Sequence, residues 1–219
     1  MENIEVYYPE KTNQKDWTNK IAKAISYLFH PLLMPFYGVL MIFNIGSYIV
    51  FSVSPAVKYF VYAIVFINTF LIPAMAGVFL LKKGMIQSLE MNTTKERRFP
   101  LLITGLFYSI TYYFLQKFPL PPLIYLILLG ATLSVLISMM VNLFWKISAH
   151  MIGAGGMVGA AIGISLRLSL DLNLLIISLI VLSGLIGSSR LALNAHNQSQ
   201  IYIGFFLGLG CMLLVMLGI

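Results

Sequence analysis

Three short stretches of this sequence concentrate the residue types that can carry out chemistry. They are EMNTTKERRFP (90–100), KISAHMIG (146–153) and SSRLALNAHNQSQ (188–200). Two of the chain's 3 histidines, His150 and His196, fall in these stretches, within a sequence that is otherwise largely apolar. The cations that accompany them are Lys95, Arg97, Arg98 and Arg190. The combination predicts a site for an anionic group.

These residue types fit phosphate chemistry. Guanidinium and ammonium groups that converge on one point bind a dianionic phosphate through charge-assisted hydrogen bonds. Beside such a site, one histidine can act as a nucleophile and a second as a general acid. We predict that His196 attacks phosphorus and that His150 protonates the departing oxygen. Gln200 follows His196 by four residues, so on a helix it can hold one imidazole nitrogen and fix the tautomer.

The same residues also have a purely structural interpretation. Lys and Arg at the ends of membrane helices often reach to the headgroup region or set the topology, and this interpretation favours a structural role for the 95–98 cluster. Arg190 is a stronger candidate, because a charge flanked by apolar segments is a functional hypothesis by default. Two histidines without carboxylate or thiolate ligands beside them are too few for a zinc site. We therefore expect no metal and no cofactor.

The composition indicates that a membrane surrounds these stretches. Hydrophobic residues make up 59% of the chain and charged residues 10%, and the mean hydropathy is +0.91. A soluble domain carries about 25% charged residues, so we expect lipid to be the main solvent. The net charge of +7 does not indicate nucleic acid, because basic residues of membrane proteins cluster for topological reasons. The expected partners are membrane lipids.

Seven apolar segments approach the length of about 20 residues that crosses the hydrocarbon core. They cover residues 33–52, 57–81, 99–116, 122–145, 150–168, 173–188 and 200–218. Such segments should be helical, because a helix satisfies its own backbone polar groups. We predict an all-α polytopic transmembrane helix bundle with about seven spans. Six spans are the alternative, since Asn44 and Gly46 interrupt the first segment.

The N-terminal residues 1–30 precede this bundle, which we assign to residues 31–219 as a single domain. Residues 1–17 are polar and lack the apolar core of a cleavable signal peptide. Residues 18–30 predict a short amphipathic helix at the membrane surface. The apolar residues that lie near one face of this helix are Ile21, Ile25, Leu28 and Phe29.

Several other residues have simple structural interpretations. GAGGMVGAAIG (153–163) is typical of close packing between membrane helices through small residues. We interpret Asn68 and Asn142 as interhelical hydrogen bonders. His30 precedes a proline near the expected membrane interface, and we interpret it as a polar residue without a functional role.

The distribution of basic residues predicts the orientation in the membrane. Seven crossings place the N-terminal tail and all three polar stretches on one face, and that face holds most of the Lys and Arg residues. The positive-inside rule assigns this face to the cytoplasm.

The second and third stretches resemble motifs of a known enzyme superfamily. The third stretch matches Ser-Arg-x5-His-x3-Asp through Ser189, Arg190 and His196, with the spacing intact. The second matches Pro-Ser-Gly-His as Ile-Ser-Ala-His, through Ser148 and His150. In the first, cations precede a proline, as in Lys-x6-Arg-Pro. These motifs are those of the phosphatidic-acid-phosphatase type 2 superfamily of membrane phosphatases, and the resemblance spans roughly residues 82–210.

The resemblance implies a short bacterial member of that superfamily, in the inner membrane, acting on lipid phosphates such as an anionic phospholipid or a polyprenyl phosphate. It would make His196 the nucleophile that becomes phosphohistidine and His150 the acid. It would assign phosphate binding to Ser148, Ser189, Arg190 and the cations of the first stretch. It also implies a site on the periplasmic side, in conflict with the charge distribution.

This sequence departs from the superfamily pattern at four places. Gln200 stands where the superfamily has aspartate, Ile147 replaces a proline, Ala149 replaces a glycine, and the spacing of cations in the first stretch is too short. In a serine protease, a comparable loss of the orienting aspartate costs about four orders of magnitude in rate. A catalytically weak or inactive protein of the same fold, serving as a lipid-binding or accessory subunit of a membrane complex, is therefore the alternative function. A transporter component is less favoured, because no acidic residue falls near the bilayer centre.

Overall fold

The computed structural model describes residues 10–46, 51–91 and 93–218, with side chains from residue 16 onwards. In this part of the chain the regular secondary structure is helical, which confirms the all-α class. The N-terminal half forms α1 (Glu10–Leu28), α2 (Met34–Asn44), α3 (Pro55–Phe66), α4 (Ile72–Lys82) and α5 (Thr94–Leu115). The C-terminal half forms α6 (Pro122–Asn142), α7 (Ala149–Leu168), α8 (Asn173–Ala192) and α9 (Gln198–Gly218).

Six helical stretches of the described chain are long and apolar enough to cross a membrane, so the protein is an integral membrane protein. They are Asp16–Asn44, Pro55–Lys82, Pro122–Asn142, Ala149–Leu168, Asn173–Ala192 and Gln198–Gly218. The described residues thus hold six candidate spans rather than the expected seven, and the first segment, which the alternative of six leaves out, is among them. The segment predicted at 99–116 lies in α5, which is not among the six and whose first turns carry Lys95, Arg97 and Arg98. Residues 47–50 of the first predicted span and residues 1–9 of the polar tail lie outside the described residues.

A π-helical turn, Ile67–Leu71, joins α3 and α4 into one continuous helix. Pro73 lies in the first turn of α4 and has no N–H to donate to the carbonyl of Thr69, four residues earlier. The wider π spacing accommodates this gap without ending the helix. Asn68, in the same turn, donates to the Ile64 carbonyl of its own helix at 3.1 Å rather than to a neighbouring helix.

The first helix occupies a different position from the predicted surface helix. α1 packs along α8 and turns Ala22 and Ser26 inward, where they are 3% and 6% exposed. The predicted apolar face does not point inward as a unit, because Ile21 and Leu28 are 58% and 59% exposed. Small residues favour close contact between membrane helices, and for this reason apolar periodicity mispredicted the inward face. Together with α2, most of α1 belongs to the first candidate span.

Helices α7 and α9 pack with their backbones in direct contact. A Cβ atom placed on Gly155 would collide with the backbone oxygen of Phe205, and one on Gly208 would collide with the backbone oxygen of Ile152. The close packing predicted for residues 153–163 is therefore confirmed. This contact fixes the starts of the two helices relative to each other.

The loops that carry the three polar stretches gather at one end of the bundle. The Asn142 side chain donates to the Thr94 carbonyl oxygen at 2.8 Å, which ties the end of α6 to the start of α5 and confirms Asn142 as an interhelical hydrogen bonder. The N–H of Ser148 donates to the Gln200 carbonyl oxygen at 3.3 Å, which ties the residue before α7 to the first turn of α9. The second and third stretches are thus joined through their backbones.

Candidate functional site

The turn between α8 and α9 sets the position of His196. After α8 ends, Asn194 adopts a left-handed backbone conformation with φ 51°, which asparagine tolerates better than most residues. The N–H of Ala195 then donates to the Arg190 carbonyl oxygen at 3.1 Å and closes the helix end. His196 therefore follows directly on the turn that begins at Arg190. The two side chains are 8% and 9% exposed.

Gln200 holds the His196 ring in one tautomer. The Nδ1 atom of His196 lies 2.8 Å from Oε1 of Gln200, and the backbone N–H of Asn197 donates to the same oxygen at 3.3 Å. A backbone N–H can only donate, so the Gln200 atom that it faces is the carbonyl oxygen, and Nδ1 of His196 must carry the proton. The lone pair of the neutral ring is therefore on Nε2, the nitrogen that can attack an electrophile.

The residue that orients His196 is itself fixed by the start of α9. The N–H of Gln200 donates to Oδ1 of Asn197 at 3.0 Å, while the Gln200 side chain accepts from the Asn197 N–H in return. This reciprocal pair is a capping box, and it satisfies backbone donors that the first turn of a helix leaves unpaired. An uncharged residue thus orients the histidine because the helix cap restricts its side chain.

Two predicted site residues from different stretches meet at one residue of α1. Nη1 of Arg190 donates to Oγ of Ser26 at 3.1 Å, and Nε2 of His150 lies 3.1 Å from the Ser26 carbonyl oxygen. A carbonyl oxygen only accepts, so Nε2 of His150 carries a proton. The N-terminal helix therefore contributes to the site beside Arg190 and His150.

One cation of the first stretch contacts the second stretch. Nε of Arg97 donates to the Met91 carbonyl oxygen at 2.9 Å, and Nη1 donates to the Ile147 carbonyl oxygen at 2.8 Å. The neighbouring Lys95 and Arg98 are exposed. The three predicted cations of this stretch are thus not equivalent, and Arg97 is the one that the structure places against the segment before α7.

The electrostatics place three cations around His196. Burial is the largest cause that lowers the pKa of His196, to about 3, and the hydrogen bond to Gln200 opposes this shift. The charges of Arg97, Lys146 and Arg190 lower it as well. Burial and then the charge of Arg190 lower the pKa of Arg97 to about 10, so its guanidinium remains charged at neutral pH. His196 is neutral there, in a region of positive potential.

Two polar atoms of this site are buried without a hydrogen-bond partner among the described residues. They are Oγ of Ser148 and Nε of Arg190. Ser148 is fully buried. Buried polar groups in proteins are nearly always hydrogen-bonded, so an unpartnered donor favours the binding of a hydrogen-bond acceptor at that place. Both atoms can donate a hydrogen bond, so the site has donor capacity suited to an anion.

The hydroxyl of Ser189 has a hydrogen-bond partner, unlike that of Ser148 among the described residues. Oγ of Ser189 donates to the Leu185 carbonyl oxygen of its own helix at 2.8 Å, and the side chain is buried. This bond satisfies the hydroxyl within α8. Of the two serines in the predicted site, Ser148 is therefore the one with an unused donor.

Sequence reasoning missed three residues that belong to the cluster. Lys146 is the first residue of the second stretch, and its position beside Ser148 and His150 could have identified it as a further cation of the site. Ser26 lies four residues after another small residue, Ala22, which is a weak signal for a helix contact. The ring centroid of His30 lies 5.8 Å from that of His150, a contact between distant parts of the chain that no local pattern predicts.

Searches of protein-family models, curated proteins and solved structures return no match to this chain. The comparisons therefore show no family for this chain, and the phosphatase superfamily remains a resemblance of motifs. Within the described residues, no group of three or more His, Cys, Asp and Glu side chains is placed to hold a metal ion.

Proposed function

We propose that this protein is an integral membrane phosphatase that removes phosphate from a lipid phosphate or pyrophosphate through a phosphohistidine intermediate on His196. The observation that carries the proposal is the placement of an oriented, neutral His196 among the charges of Arg97, Lys146 and Arg190. A nucleophile held in one tautomer beside converging cations is the arrangement that phosphoryl transfer requires.

The cations supply the phosphate site. Arg190 presents a planar guanidinium whose Nη1 is engaged by Ser26 while its Nε is unpartnered among the described residues. A guanidinium binds two oxygens of one phosphate through parallel hydrogen bonds. The buried Oγ of Ser148 offers a further donor. These groups stabilise the charge that develops on the phosphoryl oxygens during transfer.

The reaction then has two steps. In the first, the Nε2 lone pair of His196 forms a bond to phosphorus as the bond from phosphorus to the lipid oxygen breaks, and His150 gives its Nε2 proton to that oxygen. In the second, a water oxygen bonds to phosphorus, the P–N bond breaks, and the water proton returns to His150. Inorganic phosphate leaves, and His196 recovers its lone pair. Gln200 holds Nδ1–H throughout.

A second candidate function has specific support. Gln200 brings no negative charge to the imidazole, and Ser26 already engages both Arg190 and His150. Both observations favour a catalytically weak or inactive protein that binds anionic lipid headgroups, as an accessory subunit of a membrane assembly. Such a protein would keep headgroup binding through Arg190 and lack turnover.

The test uses purified protein reconstituted with phosphatidic acid, a polyprenyl phosphate and a polyprenyl pyrophosphate in turn. We expect release of inorganic phosphate from at least one lipid, inhibition by vanadate, and loss of release in His196→Ala. The matched control is Gln198→Ala, a change at an exposed position in the first turn of α9, which should keep the activity. Absence of release from the whole panel would contradict the phosphatase and favour the second candidate.

A further inference from the structure

An apolar cleft lies beside the polar cluster, between α2, α7 and α8. Its volume is about 180 Å³. Its walls include Met34 and Tyr37 from α2, Ala154 and Met157 from α7, and Leu182 and Ile186 from α8. Ser183 also lines it, but its hydroxyl donates to the Leu179 carbonyl oxygen at 2.7 Å. The cleft therefore presents hydrocarbon to whatever it holds.

The cleft begins one helical turn from the two residues that meet at Ser26. Ala154 follows His150 by four residues along α7, and Ile186 precedes Arg190 by four residues along α8. With a rise of about 1.5 Å per residue, the cleft starts about 6 Å from the level of Arg190 along α8 and extends to about 16 Å at Leu179. It thus lies about one helical turn from Arg190 and His150, along helices that are long and apolar enough to cross the membrane.

The cleft is deep on one side and opens at the surface on the other. Its floor residues Ala154 and Ile186 are 4% and 1% exposed, whereas Tyr37 and Leu182 are half-buried. α1 packs along α8, while α2 packs on α6 and α7, and the half-buried Tyr37 and Leu182 lie on the exposed side of the cleft. An apolar opening in the side of a membrane bundle faces lipid chains rather than water.

We propose that this cleft holds the hydrocarbon chain of a single-chain lipid phosphate while its phosphate lies against Arg190. The inference rests on the proposed phosphatase function and names the substrate class of that site. Charge complementarity selects the anionic end, because Arg190 carries a buried Nε atom without a partner among the described residues. The apolar walls of the cleft favour the hydrocarbon chain at the other end of the ligand.

The size of the cleft limits the occupant to one chain. An apolar protein cavity of about 150 Å³ holds one benzene molecule, so the 180 Å³ of this cleft suits a segment of one hydrocarbon chain. A volume of this size leaves no space for a second chain beside the first. Leu182 is thus a specificity-determining residue, since a larger side chain there would close the cleft.

The first arm of the test compares a long and a short substrate. Leu182→Trp should lower kcat/KM for hexadecyl phosphate about tenfold or more, the scale on which a hydrophobic pocket discriminates, and leave butyl phosphate within about twofold. The matched control is Val181→Trp, because Val181 neighbours Leu182 but is 59% exposed; it should leave both substrates unchanged. Equal losses on both substrates, or no loss on either, would contradict the chain site.

The second arm does not depend on turnover. Hexadecyl phosphate with a diazirine in mid-chain is photolysed in vesicles with His196→Ala protein, and crosslinked peptides are mapped. We expect crosslinks in α2 and α8 at the cleft, lost in Leu182→Trp and kept in Val181→Trp. Crosslinks spread over the outer surface would overturn the inference.

The two arms separate this inference from the proposed function. Crosslinks at the cleft without any phosphate release would support the chain site and contradict the phosphatase. Phosphate release with crosslinks elsewhere would support the phosphatase and contradict the chain site. A competition experiment tests whether the cleft holds one hydrocarbon chain or two. Two-chain dihexadecanoyl phosphatidic acid should displace the probe at least about tenfold less well than unlabelled hexadecyl phosphate. Equal displacement by the two lipids would contradict the single-chain assignment.

Discussion

The two helix contacts that carry the site differ in how closely they pack. α7 and α9 meet backbone to backbone at Gly155 and Gly208, with no room for a side chain. α1 meets α8 through the small residues Ala22 and Ser26, and next to it a cleft of about 180 Å³ remains. The first contact positions His196 and Gln200, whereas the second lies beside Arg190 and His150.

This difference assigns separate tasks to the two contacts. Reacting groups need a supporting structure that holds them within a fraction of an ångström, and a backbone contact between two glycine-bearing helices provides it. A ligand needs room, and a helix contact made by a few small side chains leaves room beside it. We therefore expect substitutions in the α7–α9 contact to change the stability of the fold. Substitutions around His196 should instead change the rate of the proposed reaction.

The largest effect is expected at the glycine contact. In Gly208→Leu, the new side chain would collide with the backbone oxygen of Ile152, which cannot move without separating the helices. Overpacking typically costs about 1–3 kcal/mol and sometimes more, and here we expect more than about 3 kcal/mol because backbone rather than a flexible side chain is in the way. The measurement is the thermal unfolding midpoint in detergent, with the yield of monodisperse protein.

The control for this prediction lies on the same helix. Among the described residues, no neighbouring atom lies within 4 Å of the position that a Cβ atom on Gly210 would take. Gly210→Leu should therefore unfold within a few degrees of the wild type or slightly higher, since leucine favours helix over glycine by about 1 kcal/mol. Equal destabilisation by the two substitutions would contradict the close backbone contact at Gly208.

An intermediate effect on kcat is expected from a negative charge placed next to His196 at position 200. Gln200→Glu is nearly isosteric and puts a carboxylate where Oε1 now lies 2.8 Å from His196 Nδ1. The carboxylate stabilises the cationic imidazole that forms on attack, so we expect kcat to rise at least about tenfold, a part of the four orders of magnitude that an orienting aspartate supplies elsewhere. Gln200→Asp introduces the aspartate of the motif that this stretch resembles and should act in the same direction.

The control carries the same charge change two residues away. Gln198→Glu lies at an exposed position of the same helical turn and should leave kcat within about twofold, because an exposed charge is screened by solvent and salt. A rise with Gln198→Glu as large as with Gln200→Glu would show a general charge effect. No rise with either would mean that the neutral amide already suffices.

The smallest effect is expected in the pH dependence of stability. The pKa of His196 is about 3 in the folded protein, against 6.5 ordinarily. Between these values the unfolded chain binds a proton that the folded protein does not, so stability falls as the pH decreases from about 6.5 towards 3. We expect the unfolding midpoint to drop by a few degrees from about pH 7.5 to about pH 5, and to drop less in His196→Asn. An equal drop in the variant would contradict the depressed pKa.

The third polar stretch shows how much of the site the sequence could predict. The spacing of four between His196 and Gln200 indicated a helical contact, and the structure places the two side chains in hydrogen-bond contact. This prediction succeeded because it needed only local geometry. The first stretch allowed no such prediction, because helical phase and packing decide that Arg97, and not the exposed Lys95 or Arg98, contacts the segment before α7.

The N-terminal helix shows where sequence reasoning fails in a membrane protein. Apolar periodicity identifies the inward face of a helix in water, but in lipid the outward face is apolar as well. Ile21 and Leu28 are accordingly exposed, while Ala22 and Ser26 face the bundle. The contacts of Ser26 with Arg190 and His150 span more than a hundred residues of chain, and the local pattern carries no information about them.

Trapping the covalent intermediate tests the central claim most directly. Wild-type protein is mixed with a lipid phosphate that carries radiolabelled phosphorus and is quenched in alkali within the first turnover. We predict label on the protein that survives alkali, is lost in acid, maps to the peptide with His196 and is absent from His196→Ala. Release of labelled phosphate without any label on the protein, or equal labelling of His196→Ala, would contradict phosphoryl transfer through His196.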